Sequence, residues 1–210
     1  MPSRLSKIDD LTRLDHTFLT AADKCYYLGE YTARKGFTFS QTNDLINNLK
    51  KPMDRRDRPE WRYKESAIRK SGEMFREALN PETLAQATLV PIPPSKKKDH
   101  PEYDDRLLRI LGQLGQGLEL DIRELVIMRT SIEAAHLVET PRNVNKELID
   151  WMELDPALVD PKPKLICVFD DVLTTGAHFK AVESILRGAF PEVPLAGVFI
   201  ARRAPEATPF

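Results

Sequence analysis

The stretch KLICVFDDVLTTGAHFKAV, residues 164–182, restricts the fold more than any other part of the chain. An apolar run with β-branched and aromatic residues ends in Asp170 and Asp171. After Leu173 come Thr174, Thr175 and Gly176, and a helical spacing of apolar residues then begins. A buried strand that feeds straight into a helix belongs to α/β architecture. The first amides of such a helix have no intrahelical acceptor, and together with the helix dipole they make an anion site. Thr174 and Thr175 add hydroxyl donors, and Gly176 allows a tight turn with close approach to the backbone. The turn Leu173, Thr174, Thr175, Gly176, Ala177 and His178 therefore suits a phosphate monoester. Two carboxylates beside a phosphate make sense if the same molecule offers them vicinal hydroxyls. A ribose 5-phosphate carries both groups, a few bonds apart.

From about residue 85 onward, short apolar runs alternate with helical periods. Residues 87–93, 124–129, 164–169 and 194–203 read as strands. Leu107, Leu108, Leu111, Leu114 and Leu118 form one helical stripe, and Phe179, Val182 and Leu186 form another, continued by Ala189 or Phe190. This order predicts an α/β domain over 85–210, with a mostly parallel central sheet flanked by helices. Residues 1–84 read differently. Leu11, Leu14, Phe18 and Leu19 predict one helix. Ser40 or Thr42 caps a second over SQTNDLINNLKK, and Trp61, Ile68 and Phe75 mark a third. These predict a helical N-terminal lobe, with Tyr26, Tyr27, Tyr31, Phe37 and Phe39 read first as core and second as a stacking surface for a base, and the run DRRDR as a solvated face.

Composition removes several classes. The net charge of −1 gives no bulk electrostatic case for nucleic acid or a membrane surface. Cys25 and Cys167 are far apart and outside any CxxC pattern, which fits a reducing cytoplasm. The N-terminal residues lack the apolar core of a signal peptide, and no segment approaches the roughly 18 apolar residues of a membrane span. A cytoplasmic protein is expected. GQLGQG at 112–117 follows no strand and is not a dinucleotide fingerprint, and no GxxxxGK[ST] is present. The four histidines have no metal-ligand spacing, so no direct protein metal site is expected.

The string VFDDVLTTGAH resembles the PRPP-binding motif of the type I phosphoribosyltransferases: apolar residues, an acidic pair, an apolar pair and a Thr-Thr-Gly turn. The order of LVPIPPSKKK, VIMR, RNV and the acidic motif over roughly 85–205 is similar to the ComF-like branch. The resemblance implies the type I phosphoribosyltransferase fold. It implies that Asp170 and Asp171 hold the ribose hydroxyls and that the 173–178 turn holds the 5-phosphate. It further implies that Ser95, Lys96, Arg129 and Arg142 contact pyrophosphate. Two departures are visible. His178 stands where the family usually has Thr or Ser, and the cysteine-rich zinc module that usually opens ComF-like proteins is missing from residues 1–84.

The chemistry this implies is displacement of pyrophosphate from C1 of PRPP by an acceptor, through a transition state with oxocarbenium character. Mg2+ is the expected cofactor, held by substrate oxygens and water rather than by a protein cage. The acceptor, a homodimer and a protein partner are all left open by the sequence. Two other readings of the same fold stand beside the enzyme. One is a PRPP or nucleotide sensor without turnover, and the other is a stress or phage-defence effector.

Overall fold

The computed structural model describes residues 4–131 and 144–206 of the 210-residue chain. Its elements run β1 (Ser6–Lys7), β2 (Cys25–Tyr31), α1 (Gln41–Leu49), α2 (Trp61–Ala78), α3 (Pro81–Gln86), β3 (Thr88–Pro91), α4 (Arg106–Leu114), β4 (Asp121–Ile122), β5 (Val126–Met128), α5 (Val144–Trp151), β6 (Met152–Leu154), β7 (Ile166–Leu173), α6 (Ala177–Ala189) and β8 (Leu195–Arg203). Six strands form one sheet in the order β1-β2-β8-β7-β3-β4. Every pairing is parallel except that of β1 with β2. This is the α/β architecture, with a mostly parallel sheet, that the alternation of apolar runs predicts.

β7 lies between β8 and β3 with helices over both faces, so all its residues except Asp170 are buried. That position explains its near-continuous apolar text. On one face Phe169 meets Phe75 of α2 edge-to-face, with ring centroids 5.2 Å apart. On the other, Phe179 of α6 meets Phe199 of β8 at 6.0 Å. The leucine stripe predicted after residue 105 becomes α4, which buries Leu107, Ile110, Leu111 and Leu114, while Leu118 lies beyond its end and is exposed. Both cysteines are buried free thiols.

Residues 1–84 are not the all-helical lobe the sequence suggests. α1 and α2 form where expected, and the Ser40 hydroxyl accepts the Asn43 amide as the N-cap of α1. However, Cys25–Tyr31 enters the main sheet as β2, parallel to β8, with Tyr26 opposite Val198. Its three tyrosines favour a pleated surface, and an open sheet edge was available. The helix predicted from Leu11 to Leu19 is also replaced. The Asp9 carboxylate accepts the amides of Leu11 and Thr12 and so seeds a single 3-10 turn, Thr12–Asp15. Leu11 and Leu14 point to solvent. The predicted strand at 124–129 pairs not with the main sheet but with β6, antiparallel, as a separate two-stranded ribbon. Among the described residues, no helix is long and apolar enough to cross a membrane.

Candidate functional site

β7 does not stop at the acidic pair. It continues to Leu173, with Asp170 opposite Phe199, Val172 opposite Ala201 and Leu173 opposite Arg202 on β8. Successive strand residues face opposite sides, so the two carboxylates diverge. Asp171 shares the side of Phe169, beneath α2 and α4. Asp170 shares the side of Val168 and Val172. There it lines a small cavity with His178, Phe179 and Phe199 at the back of the turn. Asp170 also borders the neighbouring cleft formed by Pro91 to Pro94 and Tyr103 to Leu108. The expectation that both aspartates grip one pair of hydroxyls assumed a strand ending at 169. The longer strand sets them apart.

Asp171 is already engaged. Its Oδ2 accepts Arg106 Nε at 2.9 Å and Nη2 at 2.7 Å, and Lys50 Nζ stands 3.3 Å from Oδ1. Arg106 turns its remaining Nη1 to Asp104 at 2.7 Å, and Asp104 in turn takes Lys64 Nζ at 2.6 Å. Lys64 is 1% exposed and gives a further hydrogen bond to the Lys51 carbonyl. A chain of alternating charge, Lys64, Asp104, Arg106, Asp171 and Lys50, thus ties α2, the start of α4, β7 and the end of α1 together. Burial alone would raise the Asp171 carboxyl, but the charges of Arg106 and Lys50 overcome it and hold the group well below the usual carboxylate range. Asp170 moves the other way. Burial first, and then the charge of Asp171, push it up to about 7, although its Oδ1 accepts the Asp171 amide at 2.7 Å.

These opposite shifts carry opposite pH signs. A carboxyl raised in the folded state supports folding most below its ordinary 3.8 and loses that support as the pH climbs to about 7; this is Asp170. A depressed carboxyl supports folding above 3.8 and loses that support as the pH falls toward its lower folded value; this is Asp171. Urea unfolding as a function of pH should therefore show Asp170→Asn flattening the decline between about pH 4 and about 7. An unchanged slope in that window would contradict the assignment to Asp170.

The turn after β7 is braced from the N-terminal segment. The buried His16 ring contacts the Thr174 carbonyl through Nδ1, and the Phe18 amide donates to the Thr175 carbonyl at 2.9 Å. Gly176 has φ +87° at the N-cap of α6, and a Cβ there would lie 2.9 Å from Leu19 Cδ2. Thr174 and Thr175 stay exposed, Ala177 is buried and His178 is half-buried. Burial lowers the His178 imidazole, with Lys50 acting in the same sense and Asp171 opposing. Gly176→Ala should cost about 1–2 kcal/mol for the left-handed backbone alone, read from urea midpoints. A neutral effect would show that the turn tolerates a side chain.

Ser95 and Lys96 line a cavity with Lys50, Lys51, Pro94 and Arg106, where four cations (Lys50, Lys51, Lys96, Arg106) face two carboxylates, Glu102 and Asp104. Lys96 Nζ is 3.9 Å from Glu102. Arg129 follows β5, is exposed and pairs with Glu153 of β6 at 3.2 Å. It is not among the residues lining that cavity. Arg142 lies outside the described residues. Sequence reasoning missed Lys50, Lys64, Asp104 and Arg106. Two signals were present: a lysine on the apolar stripe of α2, between Trp61 and Ile68, and an arginine in the first turn of α4, where the helix dipole disfavours a cation. Among the described residues, no three His, Cys, Asp or Glu side chains come together as a metal-ligand set. No protein-family model matches the chain, and no curated protein matches it either.

Proposed function

We propose that the chain binds PRPP with Mg2+ and transfers its ribose 5-phosphate to an acceptor, releasing pyrophosphate. One arrangement carries this reading. Asp170, half-buried, lies between the helix-opening turn at 174–178 and the side of the molecule where Lys50, Lys51, Lys96 and Arg106 converge. Phosphate, sugar and diphosphate follow one another in PRPP in the same order. In this reading the amides opening α6, with the Thr174 and Thr175 hydroxyls, take the 5-phosphate. Asp170 accepts a ribose hydroxyl, and Ser95 with the four cations takes the diphosphate. Among the described residues no three His, Cys, Asp or Glu side chains gather as a metal-ligand set, which suits an ion whose ligands are mostly diphosphate oxygens and water. When bound, Mg2+ neutralises the leaving group. The protein's own part is electrostatic: Asp170 in its ionised form favours positive charge on the ring, and Lys50 and Arg106 stabilise the departing anion.

The test is a turnover screen with PRPP, Mg2+ and a panel of nucleobases and amines, read as pyrophosphate release. Release with at least one acceptor supports the enzyme. PRPP binding without release for any acceptor turns the assignment to the sensor, and the absence of PRPP binding removes both.

A further inference from the structure

His16 is a buried titratable group that the proposed chemistry does not use, yet it touches the turn after β7. The residue is 0% exposed, and its Nδ1 contacts the carbonyl of Thr174, 158 positions along the chain. A carbonyl oxygen accepts and does not donate, so this contact requires a proton on Nδ1. The other ring nitrogen, Nε2, is buried and has no hydrogen-bond partner among the described residues. A second proton would strand an N–H there, so the surroundings suit the neutral Nδ1–H form. Burial, the largest influence on the imidazole, lowers it in the same sense, against the Thr174 contact.

The neighbouring carbonyl is held from the same segment, because the Phe18 amide donates to Thr175 at 2.9 Å. Two successive carbonyls of the turn are thus drawn toward residues 16–18. In a trans peptide the carbonyl and the next N–H point opposite ways. The Thr175 and Gly176 N–H groups are therefore set on the side of the turn away from residues 16–18. Among the described residues, the hydrogen bonds that hold the turn use neither of these amides. Leu19 fills the segment's own side, where a Cβ on Gly176 would lie 2.9 Å from its Cδ2.

We propose that His16 is a positioning residue of the anion site: its Nδ1–H fixes the Thr174 carbonyl and so turns the Thr175 amide toward the phosphate of the ligand. Phe18 does the same for the Gly176 amide through its own backbone. The proposal rests on the reading in which the turn takes the 5-phosphate, and it adds a residue from the N-terminal segment that sets the affinity. His16 acts through a peptide unit and touches no ligand atom.

Calorimetry with ribose 5-phosphate tests it on the unmodified protein, His16→Leu and His16→Asn. Leucine fills the buried space but cannot donate. Asparagine is smaller, yet its side-chain amide places an N–H where Nδ1 stood. His16→Leu should bind ribose 5-phosphate about 3- to 10-fold more weakly, the worth of one neutral hydrogen bond. His16→Asn should recover most of that loss, whatever its urea midpoint. A residue that serves packing alone predicts the reverse order, because leucine keeps the buried volume. Binding by His16→Leu that equals or exceeds that of His16→Asn overturns the proposal and leaves the 5-phosphate reading standing. Failure of the unmodified protein to bind ribose 5-phosphate sinks that reading, and the positioning role with it. If the variants do not fold, the unmodified protein decides the matter by NMR. The His16 ring should carry its proton on Nδ1, and the Thr175 amide resonance should move as ribose 5-phosphate saturates the site. A ring protonated on Nε2 alone, or a stationary Thr175 amide, overturns the proposal.

Discussion

Arg106→Met is expected to destabilise the protein by about 3–5 kcal/mol, the usual consequence of removing one partner from a buried ion pair. The guanidinium bridges Asp104 and Asp171, whose side chains are 12% and 4% exposed, at 2.7 Å on each side. Methionine fills much of the same space but leaves both carboxylates without their shared partner. Lys64 still reaches Asp104 and Lys50 still reaches Asp171, which places the expectation at the lower end of that range. Arg106→Lys restores the charge but not the fork of donors and should fall between the two. Urea unfolding checks the series. A loss below about 1 kcal/mol for the methionine variant would mean that the charge chain is no more than a surface pair in energetic terms.

Asp170→Asn should slow pyrophosphate release from PRPP by roughly a hundred- to a thousandfold, the scale of losing one well-placed electrostatic contact. The fold should survive. Asp170 Oδ1 accepts the Asp171 amide at 2.7 Å, and the Oδ1 of asparagine can accept the same amide. The variant thus removes the charge that the ionised carboxylate presents to the sugar, without orphaning a backbone donor. Steady-state release with the best acceptor from the screen, alongside a melting curve, separates the two effects. A folded Asp170→Asn protein with undiminished turnover would show that this carboxylate has no part in the chemistry.

The central β7-α6-β8 unit was legible because its text is local. A strand buried on both faces is apolar throughout, and a glycine turn before a helical period marks the switch. α1 and α2 were legible for the same reason, through a serine cap and a seven-residue apolar spacing. β2 was not, because Tyr26, Tyr27 and Tyr31 show their strand character only once β8 lies beside them. The leucines at 11 and 14 imitate a helix face, yet the Asp9 turn and the His16 contact with the Thr174 carbonyl decide the path of that segment. At the site, the motif located Asp170, Asp171 and the turn but could not tell which way each carboxylate points. That depends on how far β7 runs. The partners of Asp171 come from residues 50 and 106, and no local pattern links those positions to 171. Ser95 and Lys96 do border the cation-lined cavity, whereas Arg129 is held by Glu153, an acid on a strand the sequence reading did not assign.

The most direct measurement is a crystal structure of the protein soaked with PRPP and Mg2+. The account predicts the 5-phosphate on the amides that open α6, a ribose hydroxyl on Asp170, and the diphosphate between Lys50 and Arg106. A ligand seated elsewhere, or a 174–178 turn left bare at saturating PRPP, would contradict it.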